Sequence, residues 1–573
     1  MSMLRGLALL PLVCLDFGCE GVLKAPAGSA PNDGLQVPGG GPGPVPNASS
    51  TNTTPVPNSP VAVAELCSGQ QPLLGVQMRR LTPLQYKNSV EAAFGILFAD
   101  PELPRFQDDN PTIGLANDPQ KLRVTTVSID SVYSSGQAMA TRVALEVPQV
   151  KDCAAGTSPD CFGELIEKLG LALWRRPVLT AEKADLLTEL TVIEGETGTR
   201  SQQAEFLVQA LLLSPNMLYR AELGEAAGNL TDYELASLLS FTLWDRPPDT
   251  VLLEIAAAGS LRNPGVLAAQ TARLAGDPKF PAAVAGFFWD YLKLENIRTI
   301  KKDAELGLSD PVRLALADSA QQALTRALSS PQATLMQVFS GTGFPVNDDS
   351  APYFGVPAPG SSALQNQMLD ATERFGILSH PAFLTSHAGE KSTSIVKRGV
   401  FVLEQLLAFD IPAPPPNVAG VDVATLPPSF DPATTSTRDL LLTTHSSQAA
   451  CKGCHTIIDP AGFGLENFDS AGRYRLKEKG SVPIDASGSL ALADETLTYQ
   501  DSVEFLQALA SSKALTRAVL ESYFSYALGQ SGNGCESHQW SQAVLAAPTN
   551  SGGLEELAAK LVISPSFTAR TQL

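Results

Sequence analysis

The chain has 573 residues, more than one hydrophobic core usually serves, so roughly two to four domains are expected. A formal net charge of -19 excludes a broad nucleic-acid surface, which needs clustered Lys and Arg. Hydrophobic residues make up 44% of the chain, enough for ordinary globular cores, and the acidic balance favours solubility without naming a partner.

Residues 1–19 read as a signal peptide: Arg5 is followed by a short apolar run from Leu7 to Leu15. That run is below the ~18 apolar residues a membrane span needs. Cys19 or Cys14 is the candidate lipidated residue, although Asp16-Phe17-Gly18 and Pro11-Leu12-Val13 match a lipobox poorly. Residues 20–64 are rich in Pro, Gly, Ser, Thr and Asn and read as a flexible tether that cannot repay the entropy of ordering.

An N-terminal module is expected over 65–150. Leu81-Thr82-Pro83 opens a helix that runs to Gly95, with a hydroxyl cap and Pro at the first helical position. Val124 to Leu145 mixes β-branched alternation with helix-compatible residues and is left undecided. A helical module over 151–225 holds Leu165, Ile166, Leu169, Leu173 and Trp174 at helical steps, then a helix from Phe206 to Tyr219. A bundle module over 226–375 begins with the capping box Thr231–Glu234 and continues with helices near 264–275, 280–292, 311–328 and 364–374.

Ile395 to Phe409 reads as a helix ending in the proline run after Ile411, a stiff connector to a separate small domain within 376–500. A hairpin is expected within 482–504, and helices at 504–528 and 554–563 in a C-terminal module over 501–573. The overall class is mainly α: a multi-domain helical body, a small cytochrome-c-like haem-bearing domain and minor β hairpins. Leu211 to Arg220 echoes Leu561 to Arg570, which reads as two helix ends stopped by Ser-Pro. Cys153 and Cys161 flank a polar loop suited to a local disulfide, and Cys67 and Cys535 are left to pair by count alone.

The most specific signal is Cys451-Lys452-Gly453-Cys454-His455. On a helix, positions i and i+3 share a face with i+4 beside them, so two thiols can meet the vinyl edge of one haem while the histidine reaches its iron. Covalent haem c attachment is the named reading of this spacing, and it occurs outside the cytosol. A dithiol redox pair or half a zinc site are the alternatives; neither the surrounding pattern nor nearby ligands favour them. No Met follows Met368, so the second axial ligand is open. His387 and His445 are the first candidates, ahead of His380, His538, Met368 and Met336; an iron left open or water-bound is the other case. Phe463 is a candidate haem wall, and Arg473 and Arg475 are candidates for the propionates. Asp459, beside Pro460, reads as a turn or cap residue, and Arg398 as a charge-stabilising group should the site act on peroxide.

Several segments resemble a bacterial family, abundant in planctomycetes and myxobacteria, built from domains of unknown function 1587, 1595, 1592, 1588 and 1585. They are Met78 to Tyr86, Leu173 to Pro177, Asp232 to Trp244, Thr393 to Gly399 with Cys451 to Arg475, and Tyr526 to Gly529. Family members often carry a Cys before the last tetrapeptide; here Cys535 follows it. The resemblance implies an exported, mainly helical protein with one covalent haem c and no settled activity. Electron transfer to or from a redox partner in the periplasm or at the cell surface is the leading expectation, with lipid anchoring as an option. A haem oxidoreductase or peroxidase, or a surface binding or scaffolding protein with auxiliary haem, are the alternatives.

Overall fold

The signal peptide, the tether, Cys14, Cys19 and Cys67 all lie outside the described residues. These run from 74 to 570 in this computed structural model, apart from 107–114, 116, 119–121, 123, 157–160, 196–197, 227, 331, 413–433, 445, 447–448, 479–481, 530–533 and 547–552. Within them the body is predominantly helical with small antiparallel hairpins.

Strand β1 (Gln77–Arg80) leads into α1 (Pro83–Phe94). The Thr82–Gln85 capping box starts that helix, and Gly95, at φ 70°, ends it. The undecided stretch is the helix α2 (Thr126–Glu146). Val132, Gly136, Met139, Ala140 and Val143 form its buried stripe. The β-branched Val127 and Ile129 that blurred the pattern sit exposed at its first turns. Cys153 is bonded to Cys161 at the start of α3 (Cys161–Trp174), as the polar loop suggested.

Helix α4 (Arg200–Leu213) begins earlier than expected and stops at Ser214, whose hydroxyl caps the short helix Pro215–Leu218. The chain then enters β2 (Tyr219–Glu222), antiparallel to β1 with Arg79 opposite Arg220. The bundle follows as α5 (Asp232–Trp244), α6 (Pro264–Ala275), α7 (Lys279–Tyr291) and α8 (Asp310–Leu328).

The helix expected at 364–374 is absent. Gln365–Met368 is instead the strand β4, paired antiparallel with β3 (Gly343–Val346). The reason is visible in Gln-Asn-Gln-Met: it has no apolar stripe to bury, and a partner strand satisfies its backbone.

Helix α9 (Ile395–Phe401) passes into a π-helical turn at Val402–Leu406. Helix α10 (Ala449–Phe463) carries the Cys pair. The expected hairpin is β5 (Gly488–Ala491) with β6 (Thr496–Tyr499). The last long helix is split into α11 (Ser502–Ala510) and α12 (Lys513–Leu528), because Ser512 caps the second segment. Helix α13 (Leu554–Val562) closes the body, and the helices Thr180–Gly195 and Cys535–Leu545 were not anticipated.

Two large apolar clusters hold most of these elements among the described residues. One joins α1 to α4, from Leu81 to Leu218, with Phe241 of α5 reaching into it. The other runs from Leu230 to Phe567 and takes in the bundle, the Cys-pair helix and the C-terminal helices together. Ile458, Ala461, Leu465 and Phe468 therefore share a core with Phe287 and Leu406, instead of building one of their own.

The Ser-Pro echo has a structural meaning. Both copies run helix, Ser-Pro, one short helical turn, an extended residue and then an Arg. Those two arginines converge on the buried Glu222: Arg220 Nη2 lies 3.0 Å from Oε1, and Arg570 donates to Oε2. Arg79 adds a third contact at 2.8 Å, so one carboxylate joins the beginning, middle and end of the body.

Candidate functional site

Helix α10 sets the geometry. Its inward residues Cys451, His455, Ile458 and Asp459 are buried, whereas Lys452, Gly453, Thr456 and Ile457 face outward. Cys451, His455 and Asp459 thus follow one another at four-residue steps along a single face. Cys454, one helical turn from Cys451, lies partly buried against the main core. Neither thiol is in a disulfide.

His455 Nδ1 donates to Asp459 Oδ1 at 2.7 Å, with both side chains buried. Ser446, in the turn before α10, donates its hydroxyl to the other oxygen of Asp459. A ring held at Nδ1 by a carboxylate has fixed orientation and tautomer, and Nε2 becomes the nitrogen that would meet a metal. Asp459, read from the sequence as a turn or cap residue, instead holds the histidine ring through its side chain. Its signal was its position, four residues after the histidine on the same helix.

Close backbone contact fixes α10 in place. A Cβ on Gly399 of α9 would come 2.2 Å from the Ile458 carbonyl oxygen, and one on Gly462 would come 2.2 Å from that of Ile395. Only glycine permits this approach. The two helices run antiparallel through this contact, and the π-helical turn that follows α9 also packs on α10. Such turns are frequent beside functional sites. From the other side, Tyr499 donates to the Pro460 carbonyl at 2.6 Å, which ties the β hairpin to the same helix.

Most of the other described candidates have partners of their own. His387 is buried against Phe383 and Phe401, with ring centroids 4.6 and 3.9 Å away, and its Nε2 donates to the Leu292 carbonyl at 2.9 Å. Burial pushes its imidazole down to about 3, so the ring is neutral. Phe401 lies two residues beyond Gly399, on the face of α9 away from its close contact with α10. His445 lies outside the described residues.

His380 caps the helix Pro381–Ser386 through Nδ1 and reaches Ser319 at 3.0 Å, and His538 donates to Glu521 at 2.9 Å. Met368 is exposed, and Met336 packs at the core margin. Phe463 is buried with Ile395 and Leu441, under the guanidinium of Arg438 at 4.4 Å. Arg473 donates to the Leu306 carbonyl at 2.5 Å and lies over Tyr353, while Arg475 pairs with Glu466 at 3.4 Å. Arg398 is buried and donates to the carbonyls of Leu465, Phe468 and Asp469, which makes it the organiser of the loop after α10.

The donor set fits a c-type haem: two unoxidised thiols one turn apart and an adjacent histidine with its second nitrogen held. No group of three or more His, Cys, Asp and Glu suited to a metal ion is found among the described residues. Nor is any described helix long and apolar enough to cross a membrane.

Two family models match the chain. One, described as PSD4, a protein of unknown function (DUF1592), covers residues 230–356; the other, PSCyt3, a protein of unknown function (DUF1588), covers 374–478. The first spans α5 to α8, and the second spans α9, α10 and the loop that Arg398 organises. The chain is thereby similar to the cytochrome-associated family of such domains, at two of the five modules its sequence resembles. No curated protein and no solved structure matches it.

Proposed function

We propose that this chain is an exported monohaem c-type redox protein that exchanges electrons with a partner protein. The observation that carries this reading is the buried line of Cys451, His455 and Asp459 on α10, with Cys454 beside it. A bound haem c supplies a one-electron couple. Cys451 and Cys454 would hold its edge, His455 would offer Nε2 to the iron, and Asp459 would keep that ring from turning. Redox partners of such proteins dock transiently through small contacts.

The test is expression in a host with a haem c maturation system, followed by denaturing electrophoresis and haem staining. Wild-type protein retains haem under denaturing conditions, and Cys451→Ala/Cys454→Ala does not. Haem still attached in the double variant would overturn the assignment.

A haem oxidoreductase is the second reading, favoured by the size of the core, running from Leu230 to Phe567, into which α10 packs. Absorption spectra decide between them. A low-spin iron indifferent to carbon monoxide and cyanide belongs to a carrier, and a high-spin iron that binds them belongs to an enzyme.

A further inference from the structure

We infer that Asp459 is a positioning residue that biases the iron toward its oxidised state and so lowers the reduction potential of the centre. The inference rests on the haem reading above and deepens it.

His455 meets a carboxylate through one of its ring nitrogens. Nδ1 donates to an ionisable oxygen, not to a backbone carbonyl, at 2.7 Å. Donor and acceptor are both buried, with side-chain exposures of 9% and 2%, so water does little to weaken the bond. A hydrogen bond to a charged acceptor is about twice as strong as one to a neutral group. It also draws the Nδ1 proton away from the ring, raising the basicity of Nε2 toward a metal. A more basic axial nitrogen stabilises the higher charge of oxidised iron more than that of reduced iron. Reduction adds one electron from the partner; no bond breaks, and the proton remains on Nδ1.

Ser446 is a second partner of the same carboxylate. Its hydroxyl donates to the oxygen of Asp459 that His455 does not use. That contact spreads the carboxylate charge and moderates its pull on the imidazole. Losing Asp459's charge and losing Ser446's hydroxyl should therefore move the iron in opposite directions, which a purely structural role for either residue does not foresee.

The experiment is a spectroelectrochemical titration of the haem-loaded full chain, with haem content measured separately after denaturation. Asp459→Asn keeps an acceptor and removes its charge. We expect haem retention to be unchanged and the reduction equilibrium to shift at least tenfold toward the reduced form, which is 59 mV for one electron. Ser446→Ala should shift it severalfold the other way, and Asp459→Glu should restore most of the wild-type value. Should Asp459→Asn fail to fold, the Ser446→Ala shift alone decides. Retained haem with no shift in either variant, or shifts of the same sign, overturns the inference. Wild-type protein without covalent haem overturns the haem reading itself, a distinguishable result.

Discussion

At the scale of single residues, buried charge at Glu222 and at Asp459 has different consequences. Around Glu222, burial alone would raise the carboxyl, yet Arg79, Arg570 and Arg220 together hold it far below the usual glutamate range. A carboxyl depressed on folding contributes stability that is present above its unfolded value, about 4.3, and is lost as pH falls toward the folded one. Glu222→Gln leaves three arginines without their buried counter-charge and should cost about 3–5 kcal/mol at neutral pH. In urea denaturation the gap between variant and wild type should narrow as pH drops below about 4. A gap independent of pH would show that charge is not its source. At Asp459 the same physics serves orientation, because its partner is the one histidine adjacent to the cysteine pair.

At the scale of elements, the α9–α10 contact is the most constrained packing near the site. Gly462→Ala places a methyl group against the Ile395 carbonyl, so the helices must separate. Overpacking of this kind costs about 1–3 kcal/mol. We expect a lower unfolding midpoint and poorer haem loading. Gly453 sits on the outer face of the same helix, where an added methyl group would meet nothing within 4 Å, so Gly453→Ala should stabilise by about 0.4–1 kcal/mol. Calorimetry on the pair separates crowding from helix propensity. The Cys153–Cys161 disulfide, spanning a sequence separation of 8, is a local clamp. Its replacement by two serines should cost about 2.5 kcal/mol from loop entropy.

At the scale of the whole molecule, the chain closes on itself. Arg570 reaches Glu222 while its backbone N–H bonds the Gly228 carbonyl at 2.7 Å, and Leu230 bonds Thr568 at 2.9 Å. Arg570→Met should therefore loosen β1 and β2 although β1 lies far away in sequence. Hydrogen exchange measured at Gln77–Arg80 checks this; unchanged protection there would confine the effect to the C-terminus. Cys535 is disulfide-bonded, a further covalent constraint on the C-terminal region, while its expected partner Cys67 lies outside the described residues.

Much of this was legible in the sequence, for identifiable reasons. Capping boxes at Thr82 and Thr231, helical apolar steps in α3 and α5, and the spacing of Cys451, Cys454 and His455 are local signals, since a helix writes its own periodicity. Other features depended on residues distant in the chain. β4 became a strand because β3 was there to pair with it, and α2 was settled by which of its faces was buried. His387 looked available in a polar loop, yet the fold enclosed it between Phe383 and Phe401. Arg473 looked free for a propionate, yet it met the Leu306 carbonyl. By itself the sequence determined that α10 would bring two thiols and a histidine to one face, because that requires only helical geometry. Tertiary structure decided that a buried Asp459, braced by Ser446, would hold the histidine, because burial and partners are properties of the packed whole.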